Sequence, residues 1–275
     1  MYIGHVDRHH YVVTWVLVIL AMAASAGGLF VDGIYRDNAF VVTVLRGNDL
    51  VTLFFAMPLM AISYYFISQS LRARIVWQGS LLYLVYNYQF YLYGTAFNVF
   101  FLIYALLFII AGCTLIFSMS RMDAAAFAWQ FSAKTPTRLI SGFMIFFAGL
   151  LGFLWTMISL SFVFTGTIPA TITQTGHPTA VVFATDLTIL IPMMAIGGLL
   201  LWRKKPWGYV IASISMVKAT AYGISLIVMS VFTYQTLGIV DSMLGLWIAL
   251  TLGCLASAGA LLLNIDRRAL KNPKM

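Results

Sequence analysis

Long apolar runs separated by short polar turns dominate the hydrophobic pattern of this chain. A helix of about 20 apolar residues spans the hydrocarbon core of a bilayer. Because the connections are short, no room remains for a separate soluble domain. Eight stretches predict transmembrane helices: Tyr11–Val31, Leu50–Ser70, Ile75–Tyr93, Ala96–Ser118, Leu139–Phe164, Thr179–Trp202, Trp207–Phe232 and Met243–Ile265.

Composition points to the same class of protein. Of the 275 residues, 62% are hydrophobic and only 9% are charged, whereas a soluble domain carries roughly 25% charged residues. So few charges cannot cover a surface that faces water, and lipid must be the main solvent. We therefore predict an all-α, polytopic transmembrane helix bundle of about eight helices whose partner is the lipid bilayer.

The distribution of basic residues predicts the orientation of the bundle. With the N-terminus placed inside, two basic residues, Arg36 and Arg46, fall in outer segments, and Lys218 lies within a helix. Positive charge is retained on the cytoplasmic side, so both termini are expected in the cytoplasm and the protein in the plasma membrane. The inner segments hold the thirteen others: Arg8, Arg72, Arg74, Arg121, Lys134, Arg138, Arg203, Lys204, Lys205, Arg267, Arg268, Lys271 and Lys274.

The formal net charge of +8 has the same explanation. In a soluble protein such basicity would suggest a nucleic-acid partner. Here, loops that face anionic headgroups account for it, and no nucleic-acid partner is expected. One alternative concerns the first stretch, since the small residues at positions 23–26 resemble the end of a cleavable signal peptide. Small residues also allow close helix packing, and we interpret this stretch as a retained helix.

The two halves of the chain resemble one another. The residues after Asn48-Asp49 include a Pro58-Leu-Met-Ala-Ile segment, and those after Thr185-Asp186 include a Pro192-Met-Met-Ala-Ile segment. Such similarity predicts two four-helix units at 1–122 and 139–275, joined by a cytoplasmic linker at 123–138. Since each unit has an even number of helices, the units would be parallel repeats, an arrangement known among transporters. Compositional similarity alone is the simpler alternative.

Ionisable residues inside hydrocarbon are candidates for function because their burial is costly. Counted along their helices, Asp186 lies roughly 10 Å and Lys218 roughly 14 Å below the outer boundary. These similar depths on neighbouring helices predict a pair, which could serve a substrate or a proton. A neutralising pair that only fixes helix packing is equally compatible with the sequence.

Further polar residues lie at comparable depth. Asp49 corresponds to Asp186 in the other half, although an aspartate at a helix start more often serves as an N-cap, which is the interpretation we favour. Asn87 corresponds roughly to Lys218. Tyr83 and Tyr86 share a helix face with Asn87, and Tyr83 and Asn87 lie deeper than an interfacial aromatic belt explains. We predict that these residues line a ligand-binding pocket together with Asp186 and Lys218.

Motifs that would define an activity are missing. The chain has no nucleotide-binding loop, no serine hydrolase elbow and no histidine or cysteine pair with metal spacing. We therefore predict neither a metal nor a cofactor, and assign no catalytic residue. The leading prediction is a small permease or ligand-binding protein with an outward-opening polar cavity for a small-molecule or lipid ligand. The alternatives are a membrane-embedded enzyme acting on a lipid or isoprenoid, and an accessory subunit.

Overall fold

The computed structural model describes residues 8–266, and side-chain surroundings from residue 12 onward. The described part of the chain is helical, and its one β-type contact is an isolated bridge between Phe131 and Ile265. The helices are α1 (Arg8–Phe30), α2 (Ala39–Tyr65), α3 (Leu71–Tyr93), α4 (Phe101–Ser120), α5 (Ala124–Ala128), α6 (Thr137–Thr165), α7 (Ala170–Thr173), α8 (Val181–Trp202), α9 (Pro206–Leu237) and α10 (Leu244–Leu263).

Seven of the described helices are long and apolar enough to cross a membrane: α1, α2, α4, α6, α8, α9 and α10. The chain is thus a membrane protein by the length and composition of its helices. The third predicted stretch also forms a helix, α3, which has 23 residues but a more polar composition. Most of its second half is enclosed by protein, which explains how a helix with so many polar side chains can lie within the bundle.

The start of the second helix differs from the prediction. The predicted stretch began at Leu50, but α2 begins at Ala39, where Asn38 caps it by accepting a hydrogen bond from the Val41 N–H at 3.0 Å. The polar run around Asp49 interrupts the apolar pattern without interrupting the helix, because its side chains find partners inside the bundle. Arg46, expected in an outer loop, therefore lies within α2.

The two helices with a proline in their interior, α2 and α8, carry a π-helical turn just before that proline. In α2 this turn covers Thr52–Ala56 and precedes Pro58; in α8 it covers Asp186–Leu190 and precedes Pro192. A proline has no N–H to donate and its ring crowds the preceding turn, and a wider turn relieves that crowding. Single π-turns within helices frequently occur at functional sites.

Helices α3 and α9 cross at the centre of the bundle. They pack tightly at Gly79, where a side-chain Cβ would overlap Val217. Helices α2, α4, α8 and α10 pack around this central pair, and α1 and α6 lie against them on opposite sides. Large apolar side chains such as Leu102, Phe153 and Leu252 point away from the protein, as expected for surfaces in contact with lipid.

The segment between α4 and α6 packs against the end of α10. The Ser132 N–H donates to the Asn264 carbonyl at 2.8 Å, and the Asp266 N–H donates to the Gln130 carbonyl at 2.8 Å. The linker therefore closes one end of the bundle together with the last described residues. The side chain of Arg8 and the basic residues Arg267, Arg268, Lys271 and Lys274, which belong to the charge asymmetry, lie outside the part described.

Candidate functional site

A cavity of about 360 Å³ lies between α2, α3, α6, α8, α9 and α10. It extends to the end of the bundle where α3 and α9 end and where α2, α8 and α10 begin, and we call this end of the cavity its mouth. Most of the wall is aliphatic or aromatic, with Phe90, Phe147 and Trp247 among its larger members. A cavity of this size and lining is typical of small-molecule sites in proteins.

Asp186 forms part of the cavity wall and is only 5% exposed. It begins the π-turn of α8, and both of its carboxylate oxygens accept hydrogen bonds. Tyr86 on α3 donates its hydroxyl to Oδ1, and Trp155 on α6 donates Nε1–H to Oδ2 at 2.8 Å. The Trp155 ring also stacks on Phe183, with centroids 4.3 Å apart. Three helices therefore fix the position of this carboxylate.

Lys218 on α9 lines the same cavity and is 1% exposed. Its ammonium lies 3.0 Å from the centroid of the Tyr86 ring and 5.0 Å from that of Tyr222. Such contacts stabilise a cation on an aromatic face. Tyr222 is one helical turn beyond Lys218, at a spacing that could have identified it in the sequence.

The predicted direct pair between Asp186 and Lys218 does not form. No ion pair within 4.0 Å joins these two side chains, both of which lie in the part of the chain that the structure describes. Tyr86 lies between the two groups instead, since its hydroxyl bonds Asp186 and its ring face carries Lys218. The sequence identified all three residues but could not show that the tyrosine separates the charges.

Asp241, which the sequence analysis did not single out, lines the cavity near its mouth. It precedes α10 and accepts hydrogen bonds from the Ser230 hydroxyl at 2.5 Å, the Met243 N–H at 2.8 Å and Trp247 Nε1–H at 3.1 Å. Its location in a short loop gave no sign that it faces a cavity.

The loop that contains α7 covers part of the mouth. Asn38 donates to the carbonyls of Gln174 and Thr175 at 3.1 and 3.0 Å, and the His177 imidazole lies 3.6 Å from the Asp37 carboxylate. These contacts attach the loop to the segment before α2. Several of its residues line the cavity, and the loop therefore helps to shape the entrance.

Asp49 lies in a separate site behind the cavity wall. It is 2% exposed and accepts hydrogen bonds from Tyr35 at 2.5 Å and Tyr91 at 2.9 Å. The predicted N-cap role is wrong, because Asp49 is in the last third of the α-helical segment Ala39–Val51. Burial, reinforced by Asp49, raises the pKa of Tyr35 well above its ordinary value, so this tyrosine remains a hydrogen-bond donor.

Buried tyrosines and small residues enclose Asp49. The rings of Tyr88 and Tyr104 pack on Tyr91 with centroids 5.4 and 5.0 Å apart. At Gly28 on α1, a side-chain Cβ would overlap the Asp49 carboxylate and the Tyr35 hydroxyl. We call Asp49 with Tyr35, Tyr88, Tyr91 and Tyr104 the Asp49 cage.

Asn87 and Tyr83, the remaining predicted site residues, connect helices and do not line the cavity. Asn87 accepts a hydrogen bond from Asn48 at 2.7 Å. The Tyr83 hydroxyl lies 2.8 Å from Thr52 and 3.2 Å from Ser225 on α9. Of the six predicted site residues, only Tyr86, Asp186 and Lys218 line the cavity.

The cage and the cavity are nevertheless adjacent. Tyr91 and Asn48 line the cavity, and Asn48 donates to the Tyr91 hydroxyl at 3.0 Å while Tyr91 donates to Asp49. A hydrogen-bonded chain therefore leads from the cavity wall to the second carboxylate. Neither a protein-family model nor a curated protein nor a solved structure matches this chain, so any function has to be argued from the cavity and its polar groups.

Proposed function

We propose that α3 is an eighth transmembrane span and that the chain consists of two parallel four-helix units, 1–122 and 139–275, joined by the linker 123–138. In support of the span, 23 helical residues extend about 34 Å, enough for a bilayer core of about 30 Å. Most of the polar side chains in its middle, such as Gln78, Tyr83 and Asn87, are buried by neighbouring helices and need not face lipid.

The packing supports the repeat. When α1 to α4 are matched with α6, α8, α9 and α10, each contact in the first unit has a counterpart in the second, and α3 packs on α9 across the axis. The π-turns before Pro58 and Pro192 occupy matching positions. When the two π-turns are aligned, Asp186 corresponds to Thr52. Asp49, which the sequence similarity matched with Asp186, lies about one helical turn before Thr52.

The proposed orientation keeps both termini in the cytoplasm of a cell whose plasma membrane holds the protein. The basic residues Arg121, Lys134 and Arg203 lie at the end opposite the cavity mouth. Retention of positive charge on the cytoplasmic side then places the mouth on the outer side.

Within this arrangement, the protein is a small permease or a ligand-binding membrane protein whose cavity receives a small molecule from the outer side. The observation that carries the proposal is the location of Lys218 and Asp186 together in the wall of a cavity of about 360 Å³. Charged groups are costly inside a membrane protein and usually serve transport or binding there. Packing alone would not require both groups to line a cavity.

Accessibility of an introduced cysteine tests this function. Ala219 lines the cavity, and its change to Cys adds little volume. The native Cys113 and Cys254 are changed to Ser beforehand, so that the reagent meets a single thiol. We expect a small, water-soluble thiol reagent to modify Ala219→Cys from the outer side of intact cells. A permease, unlike a receptor, also allows modification from the inner side in inverted vesicles.

A control variant and the alternatives give distinct results. Leu102→Cys, on the lipid-facing side of α4, should not react with the same water-soluble reagent. Absence of modification of Ala219→Cys from both sides in a folded protein would contradict the proposed function and favour an accessory subunit. A membrane-embedded enzyme acting on a lipid would instead change the lipid composition of a deletion strain.

A further inference from the structure

Three of the described residues that line the cavity have acidic or basic side chains apart from histidine: Asp186, Asp241 and Lys218. They differ in how far the protein itself satisfies their hydrogen-bonding capacity. Since a buried polar group without a partner is costly, the group that the protein leaves unsatisfied indicates what a ligand must supply.

The two carboxylates are already occupied. Asp186 accepts from the Tyr86 hydroxyl and the Trp155 indole, one donor on each oxygen. Asp241 accepts from Ser230, Trp247 and the Met243 N–H. Neutral donors therefore stabilise both negative charges, and neither carboxylate needs a cationic group from a ligand.

Lys218 is in the opposite situation. Its ammonium carries three N–H donors, and no hydrogen bond joins it to another described residue; its contacts are the ring faces of Tyr86 and Tyr222. A ring face stabilises the positive charge but does not replace a hydrogen-bond acceptor. The ammonium is thus positioned in the cavity wall with its donors uncommitted.

The rest of the cavity wall indicates the chemistry of the ligand beyond its hydrogen-bond acceptor. Phe90, Phe147, Leu151, Leu226 and Leu250 provide an apolar lining that favours a hydrocarbon or aromatic body. Lys218 provides hydrogen-bond donors for one carboxylate, so a second carboxylate on the ligand would lie without a donor in a poorly solvated place.

We propose that the ligand of this cavity is a small, mainly apolar organic acid whose carboxylate accepts hydrogen bonds from Lys218. Tyr86 and Tyr222 hold the ammonium in the cavity wall, and the N–H groups that do not face these rings can donate to the ligand. This inference rests on the proposed function, because it names the class of molecule that the same cavity binds.

Binding of three probes of equal shape tests the charge class: 3-phenylpropanoate, 3-phenylpropanamide and 3-phenylpropylamine. Isothermal titration calorimetry is performed on the purified full-length chain in detergent, with empty micelles as the blank. We expect the acid to bind at least tenfold more tightly than the amide and the amine. Equal or tighter binding of the amine or the amide would overturn the inference.

Variants assign the effect to the side chain. Lys218→Met should abolish the preference for the acid, and the matched control Lys134→Met, in the linker outside the cavity, should retain it. If Lys218→Met does not fold, the double variant Asp186→Asn/Lys218→Met removes both charges and should also lose the preference. An acid preference that persists in a folded protein without Lys218 would contradict the proposal.

The result separates this inference from the function on which it rests. If the amide binds as tightly as the acid, and this binding is lost when Ala219→Phe fills the cavity, the cavity binds ligands as proposed. The inference that its ligand is an acid would then be refuted. If no probe binds, the acid inference fails, and the accessibility of Ala219→Cys decides independently whether the cavity is open.

Discussion

Asp186 and Asp49 are carboxylates buried in the same bundle, and both accept hydrogen bonds from tyrosine hydroxyls, yet their surroundings differ in charge. Across the Tyr86 ring from Asp186 lies Lys218. The Asp49 cage contains neutral side chains, and the nearby Arg46 is bound to Asp32 at 2.8 Å. One carboxylate therefore belongs to a charged cavity wall, whereas the other belongs to a neutral network behind it.

The difference shows how similar sequence environments acquire separate roles. A compensated carboxylate can remain charged beside a cavity, because the opposite charge and the polar donors offset the cost of burial. A buried carboxylate without an opposite charge nearby depends on its hydrogen-bond donors alone. Where these donors do not offset the cost of burying the charge, the protonated, neutral form of the carboxyl group is favoured. The following predictions test this contrast in order of decreasing effect.

The largest effect is expected from breaking the charge balance around Asp186. Lys218→Met leaves Asp186 without an opposite charge and should lower the free energy of unfolding by about 3 kcal/mol. Adding Asp186→Asn should recover at least half of that loss. Denaturant titration in mixed micelles of the two single variants and the double variant measures the coupling, and additive losses would show that the two groups do not interact.

Filling the space at Gly28 should disturb the cage alone. Gly28→Ala places a methyl group against the Asp49 carboxylate and the Tyr35 hydroxyl, which should lower the free energy of unfolding by about 2 kcal/mol. Gly149→Ala, on α6 with open space around it, is the matched control. A change in acid binding as large as the loss of stability would contradict the separation of cage and cavity.

Removing single tyrosine hydroxyls should distinguish the two regions again. Tyr91→Phe deletes a donor to Asp49 and an acceptor for Asn48, and we expect a loss of about 1 kcal/mol. Tyr222→Phe preserves the aromatic face under Lys218 and should change stability by much less. Equal losses in thermal unfolding would show that the Tyr222 hydroxyl has an important partner.

The smallest effect is expected from Asp49→Asn. An asparagine retains the size of the side chain and one acceptor oxygen, and it removes a charge that has no opposite partner in the cage, so the change in stability should stay within about 1 kcal/mol. Asp186→Asn, which leaves Lys218 uncompensated, serves as the comparison. Should both variants lose equal stability, the cage must contain a compensating charge.

The sequence predicted the class of fold well, because hydropathy depends only on local composition and on the length of helix that a bilayer requires. All eight predicted stretches contain helices in the described chain, and seven of these helices are long and apolar enough to cross a membrane, whereas α3 is more polar. The start of α2 could not be predicted, since the polar run from Arg46 to Asp49 resembles a loop unless its buried partners are known.

The candidate site was predicted in part. Sequence reasoning found Asp186, Lys218 and Tyr86 because charged and polar residues are rare in apolar helices, but it also grouped Asp49, Asn87 and Tyr83 with them. It gave no sign of Trp155, whose indole resembles any interfacial aromatic residue. Periodicity places a residue on a helix face but does not say which neighbouring helix meets that face.

The hydrophobic pattern was enough to identify a helical membrane protein with a few polar residues buried inside it. Which of these residues share a cavity became clear from the packing of the helices. The hydrophobic pattern describes the faces of each helix separately. A hydrogen bond such as that from Trp155 to Asp186 joins residues 31 positions apart and depends on how the helices are rotated and packed.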